Sequence, residues 1–358
     1  MSISQEELNY YSRQIILPDF GITTQEKIKQ AKVLVIGAGG LGCPVLQYLV
    51  AAGVGNIGIA DADIISVSNL HRQILYAFSD IGKPKAQVAK EKQQQQNPYV
   101  SINAYVENIT IENAFELIKN YDIICDCTDN FSARYLINDA CVIMKKPFVS
   151  ASILRYEGQL SVFNHKTAIN YRAIFPEMPT NIPNCAEAGV TGSLCGIMGS
   201  LQANEVLKII TEIGNTLEGK LLCFNALDNS TKLFKIKPSD TIINKLQESY
   251  DVNCIVNNRP IKEILVVELK KMLDEKQDFQ LIDVREREEY AITNLGGELI
   301  PLNTLINNLD KISKTKPIVV HCQSGTRSAK AIAILQENGF TNLYNLQGGI
   351  DAYLAMTD

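Results

Sequence analysis

The chain has 358 residues, 46% hydrophobic and 20% charged, with 12 prolines and 22 glycines, a composition that excludes disordered and collagen-like classes and leaves room for two cores. A net charge of −5 without any run of Lys or Arg argues against nucleic acid or an anionic membrane surface as the main partner. Nine cysteines occur without a CxxC pair, which favours thiols over a disulfide framework.

The start, Met1 to Glu7, has neither a cationic end nor an apolar core, so no secretion signal is expected and the chain is placed in the cytoplasm. Val33 to Ile36 reads as an apolar strand that breaks into Gly37-Ala38-Gly39-Gly40-Leu41-Gly42, with a helix over 44–52 behind it. Glycines carry no Cβ, so backbone N–H groups there can approach a polyphosphate, and the helix aims its positive end at the same place. The next strand, 57–60, ends at Asp61, near the spacing of about 20 residues at which a carboxylate meets a ribose hydroxyl in Rossmann-type units. Further strands are expected at 101–105, 122–127 and 147–151, alternating with helices at 83–96, 111–119 and 131–144. This is the pattern of an α/β, Rossmann-like, doubly wound sheet.

After residue 150, 158–164 and 219–237 read as strand pairs around one long helix. That helix, within 188–210, is the most apolar stretch of the chain. Glu205 and Lys208 interrupt it and glycines stud it, so it reads as buried and not as a membrane span. Gly189, Gly192, Gly196 and Gly199 on or near it each imply close backbone packing, since a helical glycine costs up to about 1 kcal/mol relative to alanine. The first domain is expected over 1–240, a polar, irregular linker over 241–260, and a second, smaller α/β domain over 261–358. In the second domain, strands fall at 279–283, 298–301 and 317–321, and a helix at 328–338 is closed by Gly339.

The glycine turn alone suits ATP and NAD(P) equally, which leaves an oxidoreductase or a non-catalytic scaffold as alternatives to phosphate chemistry. The separated polar groups Arg13, Asn69, Arg72, Lys85 and Asp129 decide between them. Cations stabilise charge that develops on a phosphoryl group under attack, and a carboxylate at a strand end can hold Mg²⁺; hydride transfer requires neither. Asp63 and Asp126 are weaker candidates, and Asp126 alternates with Cys125 and Cys127 along a strand, which turns it toward the interior.

Tyr11-Ser12-Arg13-Gln14-Ile15, the GAGGLG turn, SNLHRQ, GKPK, CDCTDN and Glu157-Gly158-Gln159 together resemble the ubiquitin-activating-like adenylyltransferase family over roughly residues 5 to 236. The likeness is greatest to its molybdopterin-synthase and thiamine-pathway members. The resemblance implies ATP with Mg²⁺, and adenylation of the C-terminal Gly-Gly carboxylate of a small ubiquitin-like sulfur-carrier protein. Gly37, Gly39, Gly40 and Gly42 would cradle the nucleotide, Asp61 would bind the ribose, Asn69, Arg72 and Lys85 the phosphates, and Asp129 the metal. It further implies a homodimer in which Arg13 reaches into the partner's site.

Relatives commonly carry a structural zinc on two CxxC pairs. The corresponding segments here are Asn170-Tyr171-Arg172-Ala173 and Asp251-Val252-Asn253-Cys254, which retain one sulfur, so no zinc is expected and another contact must do its work. Cys185 stands in a proline-rich loop before the glycine-rich helix. By resemblance it falls where relatives form a covalent bond to the activated carrier, and it reads equally as a packed small residue. Cys43, Cys125, Cys127, Cys141, Cys195 and Cys223 fall in apolar patterns that suit packing.

A second constellation follows strand 318–321: Cys322-Gln323-Ser324-Gly325-Thr326-Arg327 opens the helix from Ser328. Successive N–H groups of a tight loop, with Arg327, favour an anionic sulfur. With Leu281-Ile282-Asp283-Val284-Arg285 and Gln347-Gly348-Gly349-Ile350, the region resembles a rhodanese sulfurtransferase domain over about residues 262 to 355. Four residues separate Cys322 from Arg327, one fewer than in the related cysteine phosphatases, which favours sulfur over phosphate as the group carried. Gln323 is neutral where many relatives have arginine, so a persulfide donor such as a cysteine desulfurase is as well suited as thiosulfate.

Overall fold

The computed structural model describes residues 2–178, 189–238, 241–250 and 261–356. The chain divides into two compact units, Met1–Val252 and Asn253–Asp358.

Three short helices, α1 (Gln5–Tyr10), α2 (Ser12–Ile15) and α3 (Gly21–Gln30), precede the first strand. Ser4 caps α1 in a capping box with Glu7. The sheet then forms from β1 (Lys32–Ile36), β2 (Asn56–Ala60), β3 (Ser101–Tyr105), β4 (Ile123–Asp126), β5 (Phe148–Leu154), β6 (Glu157–Phe163), β7 (Lys220–Asn225) and β8 (Ser230–Lys235). Their order is β3-β2-β1-β4-β5-β6-β7-β8. The first five in that order are parallel, and β5 to β8 pair antiparallel. Central β1 and β4 are almost wholly buried, as their continuous apolar runs require. The chain reverses direction across the sheet between β1 and β4, and a crevice opens there beyond the strand ends, where open α/β sheets take ligands.

Helices α4 (Gly42–Ala52), α5 (Lys85–Gln96), α6 (Ala114–Ile118), α7 (Phe131–Met144) and α8 (Gly192–Thr211) cover the sheet. Two apolar clusters result, one built on Val33, Val35 and α4 and the other on Leu34, Ile124 and α7. The expected close packing of α8 holds at Gly199, whose added Cβ would fall 2.4 Å from Pro44 Cγ, and at Gly192, 2.4 Å from the His71 carbonyl. At Gly196 that expectation fails, because nothing lies within 4 Å of such a Cβ. Among the described residues no helix is long and apolar enough to cross a membrane.

Residues 241–250, which composition reads as linker, lie against the first unit: Leu246 packs on the α7-side cluster and Tyr250 is buried within it.

The second unit is a five-stranded parallel sheet in the order β11-β10-β12-β13-β9. Its strands are β9 (Lys262–Ile264), β10 (Gln280–Asp283), β11 (Glu298–Leu299), β12 (Ile318–His321) and β13 (Leu343–Leu346). Helices α9 (Val266–Asp274), α10 (Arg287–Ile292), α11 (Thr326–Glu337) and α12 (Gly349–Ala355) flank it, with a short helical turn over Leu302–Lys311. Each face of the sheet buries its own apolar cluster.

Candidate active site

In the first unit a cavity of about 780 Å³ opens at the ends of β1, β2 and β4. Gly37, Gly39, Gly40, Asp61, Asn69, Arg72, Lys85 and Asp129 all line it, so residues scattered over 93 positions meet around one space. Gly37 has φ +95°, and its carbonyl would lie 2.0 Å from a Cβ at Gly42. Gly42 therefore lets the turn pack onto the start of α4, and it is not itself among the lining residues. A Cβ at Gly40 would fall 2.8 Å from Cys195 Sγ on α8.

Asp61 holds the turn from the side: its Oδ2 accepts from Ala38 N at 2.7 Å and its Oδ1 from Asp63 N at 2.8 Å. Burial raises its carboxyl above the ordinary range, while Lys85 and the two N–H groups pull the other way. Lys85 starts α5, is buried, and donates to Asp63 Oδ2 at 2.7 Å. Asn69 ends a short helical turn, where its Oδ1 accepts from Ser66 N at 3.2 Å. Arg72 donates to the Ser68 carbonyl at 2.9 Å.

The two acids after β4 separate cleanly. Asp126 is fully buried and accepts from Arg134 Nε at 3.1 Å, Ser150 Oγ at 2.7 Å and Thr128 Oγ1 at 2.6 Å. Asp129 is exposed and lines the cavity. Arg13, on α2, is exposed and is not among the lining residues.

Sequence reasoning passed over Gln73, Cys195 and residues 248–250, all of which line the cavity. Gln73 is 3% exposed, and its Oε1 has no partner among the described residues. The SNLHRQ motif contains it, but the motif carries no sign that the glutamine faces inward. Cys185 lies outside the described residues. Cys43, Cys125, Cys127, Cys141 and Cys195 are buried and Cys223 is half-buried, none in a disulfide. Burial pushes the Cys43 thiol up to about 12, which removes it from nucleophilic chemistry. Among the described residues there is no group of three or more His, Cys, Asp or Glu able to hold a metal.

In the second unit Cys322 directly follows β12 and is buried. Its sulfur accepts from Gly325 N at 3.2 Å, and Ser328 Oγ lies 3.5 Å away while also donating to the Gly325 carbonyl at 3.0 Å. Gly325, at φ +98°, turns the loop into α11. Gly348 and Gly349 explain their motif: a Cβ at Gly349 would lie 2.6 Å from the Cys322 carbonyl, which instead accepts from Ile350 N at 2.9 Å.

Arg327 was expected beside the sulfur. Its guanidinium makes two 2.7 Å bonds to Glu289 of α10, and these hold the Glu289 carboxyl below the usual carboxylate range. Gln323 bridges the site: its Oε1 accepts from Arg285 Nη1 at 3.2 Å and its amide donates to Asp351. Arg285 is itself paired with Asp283 at 2.7 Å.

The cavity of the first unit and the cysteine loop of the second define the class. Residues 11–244 match the ThiF family and residues 265–356 the rhodanese-like domain. The chain belongs to the ThiF family, and it is an adenylyltransferase joined to a sulfurtransferase domain. The probable adenylyltransferase/sulfurtransferase MoeZ of Mycobacterium tuberculosis is 42% identical to it over 98% of this chain and 94% of its own length. The sulfur carrier protein adenylyltransferase of Thermus thermophilus is 48% identical over 66% of this chain and 90% of its own length. The crystal structure of E. coli MccB with MccA-N7isoASN shares the fold of the first unit, with a TM-score of 0.60 at 22% identity over 66% of this chain and 74% of that one. Family membership removes the hydride-transfer and scaffold alternatives that the glycine turn left open.

Proposed function

We propose that the first unit uses ATP to adenylate the C-terminal Gly-Gly carboxylate of a small ubiquitin-like sulfur-carrier protein, and that the second supplies sulfur as a persulfide on Cys322. The observation that carries this is the convergence of Arg72, Lys85, Asn69, Asp61 and Asp129 on one glycine-floored cavity. A carboxylate oxygen attacks the α-phosphorus, the bond to the bridging oxygen breaks, and pyrophosphate leaves with the charge that Arg72 and Lys85 offset. Asp129 offers one exposed carboxylate, which suits Mg²⁺ because that ion takes most of its ligands from water and phosphate oxygens. The metal would supply further neutralisation of the triphosphate there.

The terminal sulfur of the Cys322 persulfide then attacks the acyl carbon and expels AMP. An external thiol attacks the Cys322 sulfur of the acyl disulfide and releases the thiocarboxylate, and a second external thiol reduces the mixed disulfide left behind; Cys185 is the candidate for a covalent bond to the activated carrier. Exposed Arg13 lies outside the cavity lining, which supports a homodimer in which it serves the other copy. Neutral Gln323 and the pairing of Arg327 with Glu289 favour a persulfide donor, such as a cysteine desulfurase, over an inorganic dianion. The cytoplasm is the compartment that fits cysteines which, among the described residues, form no disulfide.

The test is exchange of labelled pyrophosphate into ATP with each candidate carrier, followed by mass measurement of the carrier. Exchange that requires the carrier and its terminal glycines, and a mass gain of one sulfur for oxygen, is expected. Exchange without any carrier refutes the assignment.

A further inference from the structure

Residues 246–250 precede the sulfurtransferase unit in the chain, and their last three line the cavity of the first unit. Glu248, Ser249 and Tyr250 line it together with the 108–112 loop and Leu136 of α7. What seats them is a buried hub on α7. Tyr250, 6% exposed, donates from its hydroxyl to Asp139 Oδ2 at 2.7 Å. Arg172 grips the same carboxylate with Nε on Oδ1 and Nη2 on Oδ2, each at 2.8 Å, and its guanidinium stacks 4.8 Å from the Tyr135 ring. Asn138 adds a bond to Asp139 Oδ1 at 3.0 Å. Asp139 is 1% exposed, so its charge stays compensated only while this shell is complete.

The same helix presents Ser132, Ala133, Arg134 and Leu136 to the cavity. A ligand that packs against those residues and against 248–250 therefore binds the seated connector better than a released one. Such a difference in affinity between two states is what links two sites, and the linkage acts equally in both directions.

We propose that the connector 246–250, held by the Asp139–Arg172–Tyr250 hub, is a working wall of the nucleotide site, so that nucleotide occupancy and the seating of the connector stabilise each other. Tyr250 acts as a positioning residue: it holds the wall and touches no reacting atom. The inference rests on the ATP reading of the cavity, and one experiment separates the two.

Hydrogen exchange is followed in the full-length chain, with and without a non-hydrolysable ATP analogue, in the glycine turn 37–42 and in residues 241–250. Both are expected to gain protection. Tyr250→Phe, which removes only the hydroxyl, is expected to speed exchange in 241–250 and to weaken analogue binding by about fivefold or more, the low end of measured couplings. It should leave persulfide loading of Cys322 unchanged. Protection of the glycine turn with none in 241–250 overturns the wall while sparing the ATP site. So does a Tyr250→Phe chain that binds the analogue as the unaltered one does. No protection in the glycine turn sinks the ATP reading, and the wall with it.

Discussion

Lys85 Nζ lies 2.7 Å from Asp63 Oδ2, yet the lysine side chain is 6% exposed and the aspartate 69%. The cation is the half of the pair that the fold encloses, while its partner stands in solvent at the mouth of the cavity. An exposed carboxylate holds such a cation weakly. Arriving phosphate oxygens can replace it as the partner of the ammonium.

Lys85→Ala is therefore expected to lower carrier-dependent pyrophosphate exchange by about a hundredfold or more, the usual cost of removing one preorganised stabilising group. Asp63→Asn should cost less than tenfold, because the nucleotide supplies the counter-charge. Equal losses in the two variants would show that the ion pair, and not the cation, matters.

Glu289 decides what Arg327 can offer to a sulfur donor. Arg327 lowers the Glu289 carboxyl below its ordinary value of 4.5, with burial opposing, so the stabilisation is present above that value and is lost as pH falls through the lower folded one. The pair therefore stays intact across neutral pH. Glu289→Gln leaves the Arg327 charge without its carboxylate and should raise thiosulfate-dependent cyanide sulfuration by about fivefold, the scale of one partly exposed ion pair of about 1 kcal/mol. An unchanged thiosulfate rate would mean that Arg327 does not set donor choice.

Ser328 has one proton and two acceptors, the Gly325 carbonyl at 3.0 Å and Cys322 Sγ at 3.5 Å. When the sulfur is anionic, the hydrogen bond to charge is the stronger of the two. Ser328→Ala should slow alkylation of Cys322 by iodoacetamide near neutral pH by about tenfold, as loss of a bond of about 1.5 kcal/mol to a charged group does. Ser328→Thr should restore the rate. A rate that Ser328→Ala leaves unchanged would assign the hydroxyl to loop structure alone.

Much of this was legible in the sequence. The parallel, helix-covered sheet of the first unit follows from apolar runs alternating with helical periods, and the residues Asp61, Arg72, Lys85 and Asp129 that line the cavity stand in recognisable motifs. Period-two alternation also turned Asp126 inward, where Arg134 and Ser150 compensate it. What escaped depends on contacts distant in sequence. Nothing local marks Tyr250 for Asp139, 111 positions away, or Glu289 for Arg327. Helices α9, α10 and α12 were not foreseen, and the linker composition over 241–250 concealed two residues, Leu246 and Tyr250, that the first core accepts. Polarity of a segment says little about its few apolar members.

The glycines of the first unit divide by what surrounds them, and a matched pair of alanine substitutions tests that division. At Gly42 a Cβ would sit 2.0 Å from the Gly37 carbonyl, a backbone atom of the very turn that floors the cavity, so relief requires moving the cradle. Gly42→Ala should destabilise the first unit by about 1–3 kcal/mol, the range for overpacking a tight core, and abolish nucleotide binding while Cys322 still loads sulfur. At Gly196, inside α8, a Cβ meets nothing within 4 Å. Gly196→Ala there gains helix propensity and should stabilise by up to about 1 kcal/mol, read as a later unfolding transition of the first unit. If Gly196→Ala instead destabilises, or blocks adenylation at unchanged stability, then something packs against that face of α8 in the working enzyme, and a second copy of the chain is the first partner to test by sedimentation.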